Sequence, residues 1–251
     1  MNSTELSEFL LWKSEQYEHP NFIETDPISI PHHYSRKEDI EIIGLIVATI
    51  AWGNRKSIIQ SGKRLIDIFG ESPLDFVMHF RENTPLTFVH RTFSREDLRF
   101  FLMALQAIYE QGALESCFWK ASNEPFSARI VNFRTAMLAA TSTPGHKVHR
   151  HLSNPLANSA CKRLNMFLRW MVRSSAKGVD FGLWKGIDAS ELRVPLDVHT
   201  GNTARSLGIL QRKQNDWKSS EALFNYCSKV HPQDPGSIDF ALFGLGAFEK
   251  F

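Results

Sequence analysis

Long apolar runs are missing from this 251-residue sequence. A membrane-spanning helix needs about 20 consecutive apolar residues, and no stretch approaches that length. The N-terminal segment MNSTELSEFLLWKSEQYEHP carries acidic residues where a signal peptide has a basic end. We therefore expect a cytoplasmic protein that does not associate with membranes.

Patterns that hold metals or cofactors are also scarce. The cysteines are few, odd in number and widely spaced, so they offer no iron-sulfur spacing and fit single thiols better than a disulfide framework: Cys117, Cys161 and Cys227. One loop contains three histidines without an accompanying carboxylate or cysteine, so we expect no metal site there: His146, His149 and His151. No GxxxxGKS, GxGxxG, HExxH or GxSxG motif occurs, which disfavours nucleotide-binding, zinc-protease and serine-hydrolase classes.

Strand signals are absent, whereas helix boundaries recur along the chain. Ser35 and Glu38 have the spacing of a capping box, which predicts a helix beginning near Arg36. Gly70 is placed to end a helix, and Ser94 to cap the next long one. The sequence therefore predicts an all-α fold.

Acidic residues are missing from Pro125 to Val179. The same segment contains nine basic residues: Arg129, Arg134, Lys147, Arg150, Lys162, Arg163, Arg169, Arg173 and Lys177. Such a segment predicts a locally positive surface, which favours binding to a phosphate backbone. The alternative is a solvated basic face without a ligand.

Two residues stand at predicted helix starts. Asp197, in the segment PLDVHTGNTARSLGI, is most simply a helix N-cap that accepts a backbone N–H. Lys162 falls in the first turn of the helix predicted over 161–175, where a lysine commonly contacts phosphate or water.

The order of these motifs resembles the helix-hairpin-helix superfamily of DNA glycosylases. PLDVH followed by a helix is similar to the segment that carries that superfamily's essential aspartate, and Lys162 precedes it as the catalytic lysine does. The long connection from Arg173 to Pro195 and the segment SIDFALFGLG resemble the archaeal 8-oxoguanine DNA glycosylase branch. The chain is accordingly expected to represent a bacterial family within that superfamily.

This resemblance implies a fold and an activity. The fold would be a two-lobed helical one with a central cleft, formed by a central lobe over 36–196 and a second lobe over 1–35 plus 197–251. The activity would be a DNA glycosylase with lyase function, acting on an oxidised, 8-oxoguanine-like base through a lysine Schiff base. Damaged double-stranded DNA would be the partner of a monomer that needs no cofactor.

The resemblance also implies roles for individual residues. Lys162 would attack the sugar C1′, and Asp197 would stabilise the positive charge that develops there. Four residues would form a base pocket: Asp239, which bonds the base edge, Phe243, which stacks on it, and Trp52 and Asn54, which stand beside Gly53 where the family has glutamine. The DNA-contacting residues would be Arg55, Lys147, Arg150, Ser153, Asn154, Asn158, Ser159, Arg163 and His199.

The chain departs from the family before Lys162, where SNPLANSACK replaces the glycine-rich hairpin that binds a DNA phosphate. Ser153, Asn154, Asn158 and Ser159 would then donate to the phosphate. This departure favours an alternative, a non-catalytic nucleic-acid-binding protein on the same scaffold. A third possibility is a helical scaffold for protein partners, which predicts no salt-dependent DNA affinity.

Overall fold

A computed structural model describes residues 2–140, 150–249 and 251. Their regular structure is helical, and the α-helices are α1 Ser3–Tyr17, α2 Lys37–Ile50, α3 Arg55–Phe69, α4 Pro73–Met78, α5 Arg95–Gln111, α6 Ser127–Ala139, α7 Lys162–Val172, α8 Val198–Ser206, α9 Trp217–Val230 and α10 Ile238–Phe248. Short 3₁₀ helices cover Pro20–Thr25, Pro27–Ser29, Pro31–His33, Leu114–Phe118, Pro155–Ala157, Ser175–Lys177, Ala189–Glu191 and Pro235–Ser237. The described residues form no strand, only isolated bridges, so the predicted all-α class is confirmed.

The chain divides into two compact units. Unit 1 consists of Met1–Glu24 and Pro155–Phe251, and unit 2 consists of Thr25–Asn154. Residues 155–196 thus group with the two ends of the chain, whereas the predicted central lobe includes them. The predicted cleft between two lobes stays a prediction.

Unit 1 is built around α10, whose sequence is apolar on almost every side. α10 packs against α1 and α8. The approach is close at Gly244, where a Cβ atom would overlap the ring of Tyr17 on α1. Ile238, Ala241 and Leu242 of α10 belong to the buried core of the unit. An apolar helix of this kind must be covered by its neighbours, because exposing its surface to water costs about 25 cal/mol per Å².

Unit 2 is built around α2, which is buried over nearly its whole length. α3, α4 and the 3₁₀ segments Pro27–Ser29 and Pro31–His33 pack against it. The acidic group of Glu41 on α2 is buried with the helix, and Tyr109 of α5 donates a 2.7 Å hydrogen bond to it. A buried carboxylate needs such donors to replace the water that it loses.

Most predicted helix ends agree with the structure, with one exception. Gly70 ends α3 with a φ of 64°, and Ser94 forms a capping box with Asp97 at the start of α5. The capping box predicted at Ser35 and Glu38 is wrong, because the N-cap of α2 is Arg36 and no side chain caps that end. The predicted helix start near Arg36 is nevertheless confirmed.

Among the described residues, no helix combines the length and the apolar composition that crossing a bilayer requires.

Candidate functional site in unit 1

Lys162 is the first residue of α7, as the sequence predicts, and is half-buried. The turn before it contains two residues with left-handed backbone, Asn158 with φ 59° and Cys161 with φ 50°. Glycine adopts this conformation readily, and other residues do so at a cost. The segment before Lys162 therefore makes a tight turn without the glycines of a glycine-rich hairpin.

Contacts with the start of α9 hold this turn in place. Asn158 donates from its side chain to Asp216 at 3.1 Å, and its carbonyl accepts the Trp217 N–H at 3.1 Å. Ser159 forms an isolated bridge with Asp216, and its hydroxyl oxygen accepts the Cys161 N–H at 3.3 Å. Asn158 and Ser159, both predicted to contact DNA, are thus engaged with the protein itself.

Asp197 is the N-cap of α8, and its carboxylate accepts the Thr200 N–H at 2.9 Å. The predicted capping role is therefore confirmed. Asn215 donates a further 2.8 Å bond to the Asp197 carbonyl oxygen. The Asp197 side chain is half-buried, so a capping carboxylate remains partly accessible at this end of α8.

Asp239 of α10 links these residues electrostatically. Its side chain is buried and accepts bonds from Arg169 at 2.5 Å and from Thr200 at 3.5 Å. Burial raises the pKa of Asp239 to about 6; Arg169 and Lys162 act to lower it, and the negative charge of Asp197 raises it further. Lys162, Asp197 and Asp239 come from three different helices, and Asp239 lies within electrostatic range of the other two.

Arg169 holds Asp239 from the buried side of α7. Besides its bond to Asp239, it forms an ion pair with Asp180 at 3.3 Å, and Asp180 is fully buried. The guanidinium of Arg169 lies 4.5 Å from the ring centroid of Phe240, within the range of a cation–π contact. Arg169 is thus fixed by two carboxylates and an aromatic ring.

Arg173, one helical turn further on, is held in the same way. It pairs with Asp180 at 2.5 Å, with Glu18 at 2.7 Å and with Asp234 at 2.8 Å. Burial raises the pKa of Glu18, although Arg173 acts to lower it. These buried contacts fix α7 to the rest of unit 1.

The basic run from Pro125 to Val179 is therefore not a continuous surface. Arg169 and Arg173 are buried among carboxylates, and Arg129 is buried and donates to the Phe118 carbonyl oxygen at 3.1 Å. Lys177 is exposed, but it forms an ion pair with Glu15. The expectation of one positive surface is thus wrong for these members, because Arg129 is buried and bonded to the backbone, whereas carboxylates pair with Arg169, Arg173 and Lys177.

Aromatic rings lie beside Asp239 on α10. Phe243 is half-buried and forms edge-to-face contacts with Phe22, His199 and Phe248 at centroid distances of 6.1, 5.9 and 6.1 Å. His199, predicted to contact DNA, is exposed on α8, two residues after Asp197. The roles of Asp239 and Phe243 in a base pocket stay predictions, and the Asp239 carboxylate already has two protein donors.

The other predicted pocket residues belong to unit 2. Trp52 is half-buried and packs against the rings of His90 and His151 at 5.3 and 5.7 Å. Asn54 caps α3 by accepting the Ser57 N–H at 3.2 Å. Arg55, predicted to contact DNA, is the half-buried first residue of α3.

The remaining predicted DNA contacts are dispersed. Arg150 donates to the Thr92 carbonyl oxygen at 2.6 Å and lies 3.6 Å from Asp97. Three others are half-buried: Ser153 and Asn154 in unit 2 and Arg163 on α7. Burial lowers the pKa of the Arg163 guanidinium. Lys147 lies outside the described residues, as do His146 and His149. Among the residues that are described, no group of three His, Cys, Asp or Glu is placed to hold a metal ion.

Arg169 is a site residue that the sequence reasoning did not single out. Lys162, Asn165, Arg169 and Arg173 recur at intervals of three or four, which places them on one face of α7. Asn165, Arg169 and Arg173 are all buried. A polar stripe at core spacing on an otherwise apolar helix is the signal that could have revealed the buried charges, since burial of charge requires partners.

Comparison with known proteins gives a family match. Residues 26–248 match the family described as "Protein of unknown function (DUF2400)". No curated protein and no solved structure matches the chain. The resemblance to helix-hairpin-helix DNA glycosylases, including the archaeal 8-oxoguanine branch, is therefore wrong as a family assignment, because the matching family is a distinct one. The motifs that suggested it are short, and they do not extend to a family match.

Proposed function

The chain belongs to the DUF2400 family, and from the chemistry of its unit 1 site we propose that it is a lysine-dependent DNA glycosylase with lyase activity, acting on DNA that carries an oxidised base. One observation carries the proposal. The buried carboxyl of Asp239 is influenced by the charges of both Lys162 and Asp197, so an amine and two carboxyl groups share one neighbourhood. An amine supported by carboxylates can form and resolve a Schiff base.

The reaction requires few groups. The Lys162 amine attacks the sugar C1′, the bond from C1′ to the base breaks, and the base leaves with the bonding electrons and takes up a proton. Loss of a proton from nitrogen and opening of the sugar ring give the Schiff base. Removal of a C2′ proton then expels the 3′ phosphate, and water releases the lysine. A base in duplex DNA must first leave the stack to expose its C1′.

The two carboxyl groups contribute differently. Asp197, half-buried at the start of α8, stabilises the positive charge that develops on the sugar as the base departs. Asp239 is a positioning residue, because Arg169 and Thr200 fix its carboxyl and it acts through its charge on Lys162 and Asp197. Arg169 is fixed in turn by Asp180, so the arrangement exists before substrate binds.

Borohydride trapping tests the proposal. Duplexes that carry 8-oxoguanine or an abasic site are incubated with the protein and reduced, and a covalent adduct is detected by its retarded migration. The wild-type protein should form the adduct, and Lys162→Ala should lose it. Lys213→Ala is the matched control, because Lys213 is an exposed lysine of the same unit. An adduct that persists in Lys162→Ala, or its absence from the wild-type protein, would refute the proposal.

A second candidate function is nucleic-acid binding without catalysis. The observation in its favour is that both carboxylates already bind groups of the protein itself. Asp197 caps α8, and Asp239 is the partner of Arg169. This candidate predicts salt-dependent binding to undamaged and damaged duplexes alike, with no trapped adduct on either.

A further inference from the structure

Basic side chains also gather in unit 2, around the turn His90–Phe93. His90 and Phe93 exchange two backbone hydrogen bonds of 2.8 Å, which leaves Arg91 and Thr92 at the tip of the turn. Arg91 has a left-handed backbone with φ 53°, a conformation that a non-glycine residue adopts at a cost. The turn thus presents an arginine at a position where glycine would be less strained.

Gly53, just before α3, makes room for the Arg91 side chain. Its φ is 90°, and a Cβ atom at this position would lie 2.5 Å from the Arg91 Nη1 atom. The guanidinium of Arg91 therefore rests against the backbone that enters α3. Arg55 and Lys56 are the first two residues of that helix, and its first turn contains no acidic residue.

Two further arginines are fixed to the backbone, one at the residue just before this turn and one within it. Arg64 donates to the Val89 carbonyl oxygen at 2.9 Å, and Arg150 donates to the Thr92 carbonyl oxygen at 2.6 Å. The pKa of His90 is lowered, first by burial and also by the charges of Arg91 and Arg64, against the effect of a backbone contact with Trp52. The arginines therefore share one neighbourhood.

The three arginines differ in their acidic partners. Asp97 is buried and lies 3.6 Å from Arg150. Within residues 2–140 and 150–249, Arg64 and Arg91 are exposed and have no carboxylate within ion-pairing distance. Like charges held together on a surface repel one another, and an anion bound there would relieve the repulsion.

We propose that the turn His90–Phe93, with Arg64, Arg91 and Arg150, forms a docking surface for the phosphodiester backbone of duplex DNA. The identification of DNA rests on the proposed function; the surface itself rests on the geometry of unit 2. Guanidinium groups bind phosphate oxygens in a bidentate manner. Arg64 and Arg150 are anchored at residues on either side of Arg91, so the charges are spread along the turn, which suits an extended polyanion.

A salt titration of binding to an undamaged 20-base-pair duplex, followed by fluorescence anisotropy, tests this surface. The double variant Arg64→Gln, Arg91→Gln should bind about tenfold more weakly near physiological salt, and the slope of log affinity against log salt should decrease by about 2. Arg91→Glu should weaken binding further. Arg36→Gln is the matched control, an exposed arginine of unit 2 paired with Glu38, and should bind as the wild type does. Far-UV circular dichroism establishes that each variant is folded.

Together, the salt titration and the trapping assay test the docking surface and the proposed glycosylase activity of unit 1 independently. Unchanged affinity and slope in the double variant would overturn the docking surface, whatever the trapping assay shows. A lower affinity and slope, with no trapped adduct in the wild-type protein, would support the surface and refute the glycosylase. Equal losses of binding to duplex DNA and to phosphatidylglycerol vesicles would overturn the assignment to DNA.

Discussion

The pH dependence of stability tests whether burial or Arg169 controls the ionisation of Asp239 in the interior of unit 1. The two largest effects on its carboxyl group oppose each other: burial disfavours the ionised form, and Arg169 at 2.5 Å favours it. Burial dominates and raises the pKa to about 6 from a reference value of 3.8. The folded protein therefore binds more protons at Asp239 than the unfolded chain does between these two pH values.

The sign of the pH effect follows from linkage. Because the pKa in the folded state is the higher one, ionised Asp239 costs stability above pH 6, and this cost disappears as the pH falls towards 3.8. A shift of about two units corresponds to about 3 kcal/mol in total, of which about 2 kcal/mol is recovered between roughly pH 7 and pH 4.5. Asp239→Asn keeps the shape of the side chain but cannot titrate.

Urea denaturation of the wild type and Asp239→Asn at several pH values measures this effect. The difference between the two free energies of unfolding removes contributions from groups that both proteins share. It should change in favour of the wild type by about 2 kcal/mol from pH 7 to pH 4.5. If the difference is constant, Arg169 offsets burial, and if the wild type loses stability relative to Asp239→Asn in acid, Arg169 outweighs burial; in either case the reasoning fails.

Two further predictions concern the helices around the site. Asp197→Ala should lower the free energy of unfolding by about 1 kcal/mol because it removes the cap from α8, whereas Asp197→Asn retains an acceptor for the Thr200 N–H and should stay within about 0.5 kcal/mol of wild type in thermal denaturation. Equal losses in both variants would contradict the capping role. Gly244→Ala should destabilise the protein by about 1–3 kcal/mol in urea, because the added methyl group overlaps the ring of Tyr17. Gly112→Ala, whose added Cβ atom would meet no atom closer than 3.9 Å, serves as the control and should cost less.

Local sequence signals predicted many helix ends but not every helix. Ser94 with Asp97, Gly70 and Asp197 all act within a few residues of themselves, which is why the sequence reveals them. No helix is predicted over Ser3–Tyr17, and the structure contains α1 there. Only a few of its residues are buried, and it packs on α10. Because α1 packs on a helix that is distant in sequence and buries few of its own residues, its apolar periodicity is too weak to predict the helix.

In the candidate site, too, features that depend on residues nearby in sequence are predicted, and features that depend on distant contacts are not. The sequence predicts Lys162 and Asp197 at helix starts, and the structure places both there. It also predicts Arg169 and Arg173 as surface charge, because it does not show that Asp180 and Asp239 lie beside them. Sequence reports net charge along a segment, whereas burial decides which of those charges face solvent.

Unit 1 is formed by both ends of the chain, which affects the order in which the two units can fold during synthesis. Unit 2 is continuous in sequence, so it can fold as soon as Asn154 has left the ribosome. α1 is made first, but its main packing partner, α10, is completed more than 200 residues later. Unit 1 can therefore complete its core only near the end of synthesis.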